Sequence, residues 1–289
     1  HLEFGADGEY LTDRLTDEAL AIIDKAANQP FFLYLSHHAP HTPIEAKSKY
    51  VEYFESKLAP ELHHQNAVYA AMVRSIDESV GRVLAKLKEH ELEQNTIVVF
   101  ASDNGGFIGV DNRSNQSAPV TNNAPLRSGK GSCYEGGVRI PLLIHWPGVS
   151  QAGSVCTEPV IVMDLFPTFL AAAGVNLPTD VPLDGLDLTP LLKHPQTSLA
   201  RESLYFHYPH YYSTTTPVSA VRTRDWKLLE YFEDNHIELY NLRDDLAESE
   251  DLAQRNPDKA VELQAELHAW RARVGAALPP PNPDFEPKP

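Results

Sequence analysis

Apolar positions in the first 200 residues follow two different periods, which predict helices alternating with strands. Apolar residues recur every three or four positions from Thr16, a candidate N-cap, to about residue 27, and again from Leu62 to His90. Three short runs of β-branched and aromatic residues predict buried strands, at Phe31–Leu35, Ile97–Ala101 and Leu142–His145. This alternation predicts an α/β fold in which helices flank a mostly parallel sheet.

The pattern changes after about Arg201. Four short alternating or apolar segments are joined by brief turns: SLYFHYP, VSAVRT, WKLLEYF and HIELYNL. They predict an antiparallel meander, and a helix over Pro257–Val274 follows it, before a Pro-rich tail. We therefore expect residues 1–200 to belong to one α/β domain and residues 201–289 to form a small C-terminal α+β subdomain.

Composition narrows the possible partners. The chain has 289 residues, of which 42% are hydrophobic and 22% charged, as in ordinary globular proteins. Its formal charge of −16, from 24 basic and 40 acidic residues, argues against nucleic acid and against an anionic membrane surface as partners. An anionic substrate would need a local cationic cluster, for which Arg127, Lys130 and Arg139 are candidates. Two cysteines allow at most one disulfide.

Candidate chemistry follows the Ile97–Ala101 strand, where SDNGG begins. Ligands of open α/β sheets bind beyond the carboxyl ends of strands, so Asp103 and Asn104 could offer oxygen ligands to Ca²⁺ or Mg²⁺ there. Farther along, Lys130 lies between two glycines and suits an anionic oxygen. The alternative interpretation is an Asx-turn at the strand end and a solvated lysine.

Two histidine-rich segments are further candidates. SHHAPHTP places His37, His38 and His41 directly after a predicted strand. These histidines could contact substrate, bind a metal ion, or lie on the surface without a function. HYPHYY offers His207 and His210 beside aromatic rings that could stack on a sugar, or else a structural edge-strand pair. Nearby, Arg222, Arg224 and Lys227 either extend an anionic subsite or belong to a turn and strand.

Several motifs in order resemble the type I sulfatases of the alkaline-phosphatase-like superfamily. They are FFLYLSHHAPHTP, YAAMVRSIDESVGRVLAKL, SDNGG, LRSGKGSCYEGGVRIPLLIHWPG and LYNLRDDLAESEDLA, which together span nearly the whole chain. The resemblance implies hydrolysis of sulfate esters, with sulfated carbohydrate or an aryl sulfate as substrate.

The resemblance also implies roles for particular residues. Asp103 and Asn104 match Ca²⁺ ligands, for which Mg²⁺ is the substitute, and Lys130 matches a sulfate contact. His41 matches the histidine of a PHxP-like motif beside the sulfate and the leaving oxygen. A histidine and aromatic cluster helps such sulfatases recognise sugar, which makes His207 and His210 the substrate-binding candidates.

The family's nucleophile is a formylglycine made from cysteine or serine in a Cys-x-Pro-Ser-Arg type motif, near paired aspartate ligands. Neither Cys133 nor Cys156 stands in such a motif. We therefore expect the chain to lack the N-terminal portion of a sulfatase, to be inactive alone, and to be periplasmic or secreted by resemblance. The alternatives are a phosphonate monoester or phosphodiester hydrolase of the same superfamily, and a non-catalytic module that binds sulfated glycans.

Overall fold

The structure is a computed structural model that describes Gly5 and residues 8–113 and 118–280. These residues form the helices α1 (Leu11–Ala26), α2 (Ser48–Glu55), α3 (Ala67–Glu89), α4 (Glu135–Val138), α5 (Leu165–Ala172), α6 (Thr189–Lys193) and α7 (Pro257–Val274). The strands are β1 (Val98–Ala101), β2 (Leu142–His145), β3 (Leu204–Tyr208), β4 (Val218–Arg222), β5 (Trp226–Tyr231) and β6 (Ile237–Asn241). Within the described ranges, every helix is too short or too polar to cross a membrane.

The chain divides into two compact units. The first comprises residues 1–100, 107–122 and 143–148, and the second comprises residues 101–106, 123–142 and 149–289. The segments of the two units alternate along the sequence. The predicted boundary between two domains at about residue 200 is a separate matter and stays a prediction. Residues 114–117 and the last nine residues of the Pro-rich tail lie outside the described ranges.

In the first unit, α1 and α2 pack on α3, and the predicted helix ends need correction. Helix α1 begins five residues before Thr16, which is therefore not its N-cap. The buried Thr16 hydroxyl instead donates to the Thr12 carbonyl at 2.6 Å, as an interior threonine does. Helix α3 begins later than predicted, because the Asn66 side chain accepts the Tyr69 N–H at 3.0 Å and caps the helix.

Two of the three predicted strands are confirmed, as β1 and β2, which pair in a two-stranded sheet. The prediction for Phe31–Leu35 is wrong, since this segment has no strand assignment. A strand exists only through its hydrogen-bonded neighbour, and neither sheet of the described residues includes this segment. Its side chains are also not buried as predicted, since Phe32 is 75% exposed and Tyr34 is 82% exposed.

In the second unit, the predicted antiparallel meander is confirmed as a four-stranded sheet in the order β3-β4-β5-β6. Helix α7 has the predicted bounds and buries Ala260, Leu263 and Leu267 against the sheet. The ring of Trp270 stacks on Tyr205, with centroids 4.8 Å apart. The sheet has a second apolar cluster that includes Cys133 and Tyr134, so the segment that contains Lys130 folds onto this sheet.

Candidate functional site

The loop after β1 has a defined backbone geometry. Asp103 Oδ1 accepts the Asn104 N–H at 2.9 Å, which makes a local turn, and the Asn104 amide nitrogen donates to the Gly105 carbonyl at 2.8 Å. Asp103 is exposed and Asn104 is half-buried. Because the Asn104 amide nitrogen faces Gly105, its oxygen Oδ1 is the atom that can ligate a cation.

The segment that contains Lys130 is bonded to this loop. The Lys130 N–H donates to the Gly106 carbonyl at 3.1 Å, and the Gly105 N–H donates to the Gly137 carbonyl at 2.9 Å. Asn123 joins the same two regions, since its Oδ1 accepts the Gly106 N–H and its Nδ2 donates to the Gly106 and Ser128 carbonyls, each at 3.0 Å. The structure therefore brings the Asp103–Asn104 loop and the Lys130 turn together.

The donor set around Asp103 and Asn104 fits part of a cation site. Both residues supply the oxygen atoms that Ca²⁺ prefers, but Ca²⁺ takes about 6–8 of them. Among the described residues, no group of three Asp, Glu, His or Cys side chains close enough to share an ion includes Asp103. These two residues can therefore hold a cation only together with further ligands.

One other group in the described ranges has the spacing of a three-ligand site: Asp24, Glu89 and His90 on the surface of the first unit. Lys86 Nζ lies 3.1 Å from an Asp24 oxygen and 2.9 Å from a Glu89 oxygen. This ammonium already compensates the two carboxylates, so we assign no metal to the group.

The three histidines of SHHAPHTP differ in their surroundings within the first unit. His37 is half-buried, with Nε2 2.9 Å from Ser79 Oγ, and burial lowers the pKa of its imidazole. His38 and His41 are exposed, with ring centroids 5.3 Å apart, and His41 Nδ1 lies 2.7 Å from the Thr42 carbonyl oxygen. Since that carbonyl accepts a hydrogen bond from Nδ1, Nε2 is the His41 nitrogen that can face a substrate.

His207 and His210 are also placed differently. His207 lies on β3, with Nδ1 2.7 Å from Ser219 Oγ and Nε2 2.8 Å from the Ala277 carbonyl, so both ring nitrogens have protein partners. His210 is exposed in the loop that follows β3. In this loop, Thr214 Oγ1 donates to the Lys130 carbonyl at 2.8 Å. The loop that bears His210 therefore contacts the Lys130 turn.

Of the three candidate cations for an anionic substrate, Arg127 and Arg139 are bonded to protein groups, which leaves Lys130. Arg127 lies over the Tyr134 ring, 4.0 Å from its centroid, and donates to Tyr240 Oη at 2.6 Å. Arg139 Nε donates to a Glu135 carboxylate oxygen at 2.6 Å. Both arginines therefore stabilise the segment itself, and the expectation that they serve a substrate anion is not supported by their contacts.

A cluster of buried charges lies beside this segment and was not predicted from the sequence. Lys227 is fully buried and its Nζ lies 3.0 Å from a carboxylate oxygen of Glu135 and 3.0 Å from one of Glu248. This burial rules out the alternative in which Lys227 extends an exposed anionic subsite. The available signal was a lysine within WKLLEYF, a segment that the sequence predicts as a strand.

The two cysteines are not bonded to each other. Cys133 is buried, and burial raises the pKa of its thiol to about 11, while Cys156 is exposed. A thiol that stays protonated is a poor nucleophile, so Cys133 has the properties of a core residue.

Comparison with known proteins gives two family matches. The model of the sulfatase family matches residues 2–175, and the model described as N-sulphoglucosamine sulphohydrolase, C-terminal, matches residues 129–273. A protein of Formosa agariphila described as a sulfatase is 36% identical over 293 residues, which cover 93% of this chain and 51% of that protein. Human steryl-sulfatase is 36% identical over 204 residues, which cover 71% of this chain and 33% of the enzyme.

A solved structure is similar in both sequence and fold. The crystal structure of Ps i-CgsB in complex with k-i-k-neocarrahexaose has a TM-score of 0.78 at 34% identity, over 93% of this chain and 56% of that one. The predicted alkaline-phosphatase-like α/β fold is thereby confirmed. The chain spans about half the length of this structure and of the Formosa agariphila relative.

Proposed function

The chain belongs to the sulfatase family, and we propose on this basis that the complete protein hydrolyses sulfate esters. The observation that best supports the proposal concerns residues within the range 2–175 that the sulfatase family model matches. There the Asp103–Asn104 loop and the Lys130 turn are joined by the hydrogen bonds Lys130 N–H to Gly106 and Gly105 N–H to Gly137. Residues of the types that bind a cation and an anionic oxygen are thus held on adjoining backbone.

Lys130 and His41 have complementary roles in the proposed reaction. Cleavage of a sulfate ester builds negative charge on the sulfate oxygens and on the leaving alcohol oxygen, which cations and proton donors stabilise. We assign Lys130 to the sulfate oxygens, since its ammonium makes no hydrogen bond or ion pair with the described residues. We assign His41 to the leaving oxygen, through Nε2. The two residues belong to different compact units, and each role is tested separately.

Asp103 and Asn104 would hold the divalent ion that the family implies, with Ca²⁺ as our first choice and Mg²⁺ as the substitute. When bound, such an ion polarises the sulfate oxygens as a Lewis acid. Asn104 contributes a neutral oxygen, which limits the negative charge of the site and eases the approach of an anion.

The formylglycine that the family implies has no match among the described residues. Cys133 is buried with a raised thiol pKa, and Cys156 lies in the sequence VCTEP rather than in a Cys-x-Pro-Ser-Arg type motif. We assign the nucleophile to neither cysteine and derive no step of the reaction through them.

For the alcohol component we propose a sulfated carbohydrate. The loop that follows β3 carries the exposed His210 and Tyr211, and it contacts the Lys130 turn through Thr214. Imidazoles bond sugar hydroxyls and aromatic faces stack on sugar rings. His207 remains a second candidate, although a substrate hydroxyl would have to replace one of its two protein partners. The similar protein solved with k-i-k-neocarrahexaose supports this choice. We place the protein in the periplasm or outside the cell, as expected from the family resemblance.

The test compares three substrates of the full-length protein: p-nitrophenyl sulfate, k-i-k-neocarrahexaose and bis-p-nitrophenyl phosphate. We expect sulfate release from the first two and little turnover of the phosphodiester. Activity should be lost after chelation and restored by Ca²⁺. Turnover of the phosphodiester alone would identify a phosphodiester hydrolase, and binding of the sugar without sulfate release would identify a glycan-binding module.

A further inference from the structure

Three buried charged side chains meet in the second unit. Lys227 comes from β5, Glu135 is the first residue of α4, and Glu248 follows β6. Each is at most 2% exposed. Lys227 Nζ lies 3.0 Å from Glu135 Oε1 and 3.0 Å from Glu248 Oε1, so one ammonium bridges two carboxylates.

Glu248 is hydrogen-bonded to the Lys130 segment on both sides of Lys130. On the C-terminal side, the Glu135 N–H donates to Glu248 Oε2 at 2.7 Å. On the N-terminal side, an Arg127 guanidinium nitrogen donates to the Glu248 carbonyl at 2.9 Å. The same segment provides Gly137, whose carbonyl accepts the N–H of Gly105 in the loop that bears Asp103.

Cations surround both carboxylates. Arg139 Nε lies 2.6 Å from Glu135 Oε2, the largely buried Arg222 has its Nε 3.9 Å from Glu135 Oε1, and Lys227 is the cation beside Glu248. Burial opposes ionisation of Glu135, but Lys227 and Arg139 outweigh it, and the pKa of Glu135 is lowered. For Glu248 burial dominates over Lys227, and its pKa is raised. Removing Lys227 would therefore leave the buried Glu248 without the cation that pairs with it beside the Lys130 segment.

Fold stability alone does not explain such a cluster. Well-packed apolar side chains of similar volume are often at least as stabilising as a buried ion pair. Unlike apolar side chains, an ammonium between two carboxylates fixes the distances and directions between the groups that it joins. Here it fixes where α4 begins relative to β5, and α4 begins five residues after Lys130.

We propose that Lys227 is a positioning residue that holds Lys130 in place through Glu135 and Glu248. The inference rests on the proposed function, in which Lys130 contacts sulfate, and it assigns a catalytic consequence to three residues that do not touch substrate. Displacing a reacting group by about 1 Å can lower a rate about 10²-fold. Loss of the bridge should therefore lower kcat by up to this factor, with KM much less affected.

The first experiment measures backbone hydrogen exchange in the full-length protein and requires no substrate. In Lys227→Met we expect faster exchange in residues 127–138 and 103–106, while β3–β6 and α7 keep their protection. Lys259→Met is the matched control, because Lys259 forms a surface ion pair with Glu262 on α7. Uniform loss of protection across the second unit would overturn the proposal and leave Lys227 as a general stabilising residue.

The second experiment separates position from stability. The double variant Lys227→Met/Glu248→Gln removes one charge of each sign and keeps an amide oxygen to accept the Glu135 N–H. We expect its melting temperature to recover towards that of the wild type while kcat stays low. Recovery of kcat together with stability would overturn the proposal. If Lys227→Met alone does not fold, the double variant still decides the question.

The two proposals can fail separately. If the wild-type protein releases no sulfate from any ester, the proposed function fails, and the exchange pattern still shows whether Lys227 fixes the segment. If the wild-type protein is active and the double variant is equally active, the positioning role fails and the proposed function stands.

Discussion

The segment that contains Lys130 and the loop that contains His41 are supported in opposite ways. Arg127 and Glu135 attach the Lys130 segment to the second unit's sheet through buried partners on both sides of the lysine. His41 is exposed, and its ring contacts the carbonyl of its own neighbour, Thr42. The His41 loop is held farther along, where the Ile44 N–H donates to the buried Asp111 carboxylate at 2.9 Å.

The difference matches the two proposed roles. A cation that stabilises developing charge is most effective when its position is fixed before the reaction, because no reorganisation is then needed. A proton donor must reach the leaving oxygen of alcohols that differ in shape, and apo geometry is often looser at such groups. We therefore expect the Lys130 region to tolerate little change and the effects at His41 to depend on the substrate.

The largest expected effect is that of Lys130→Ala. If Lys130 stabilises the sulfate as an oxyanion donor does, kcat/KM of the full-length enzyme should fall about 10²–10³-fold for aryl and sugar sulfates alike. Steady-state kinetics check this, with the exposed Lys88→Ala as control. A loss confined to one substrate would contradict the role.

The second prediction concerns His41→Ala and depends on the leaving group. Sugar alcohols are poor leaving groups that need a proton, whereas activated aryl alcohols leave without one. We therefore expect a loss of about 10²–10⁴-fold in kcat for sugar sulfates and a much smaller loss for p-nitrophenyl sulfate. Equal losses on both substrates would make His41 a binding contact.

The third prediction compares two glycines and measures stability. A Cβ at Gly105 would collide with the Gly136 backbone, where the Asp103–Asn104 loop contacts the Lys130 segment. Gly105→Ala should therefore lower the free energy of unfolding by about 1–3 kcal/mol. Gly81 lies inside α3 with no atom near such a Cβ, and Gly81→Ala should stabilise by about 0.5–1 kcal/mol. Denaturant unfolding of both variants measures the contrast, and a neutral Gly105→Ala would show that the two segments can separate.

Sequence periodicity predicted most of the helices and strands. It failed where the structure of a segment depends on pairing with a distant part of the chain. The period of α7 and the alternation in β3–β6 are local signals, and both were predicted with nearly correct bounds. Phe31–Leu35 has the composition of a strand, but composition does not provide the neighbour that makes one. The roles of Asp103, Asn104 and Lys130 were inferred from their resemblance to sulfatase motifs, and they stay predictions. The buried cluster was not predicted, because Glu248 and Lys227 lie 113 and 92 residues in sequence from their common partner, Glu135.

The smallest expected effect concerns His37, which lies in the same histidine segment as His41 but is half-buried. Burial lowers the pKa of its imidazole, and its Nδ1 is buried without a hydrogen-bond partner among the described residues. Above an unfolded-state pKa of about 6.5, both states are neutral at this position and stability is unaffected. As the pH falls below that value, the unfolded state binds a proton that the folded state resists, so stability decreases.

The size of this decrease is limited by the partial exposure of His37. A fully buried imidazole would give a slope of up to about 1.4 kcal/mol per pH unit, and solvent screening of a half-buried ring reduces this well below that limit. Urea unfolding between about pH 7 and pH 5 should show a shallower slope for His37→Gln than for the wild type. The exposed His38→Gln should keep the wild-type slope. If His37→Gln also keeps it, the imidazole is protonated equally in both states, and the contrast between a buried and an exposed histidine in this loop has no energetic consequence.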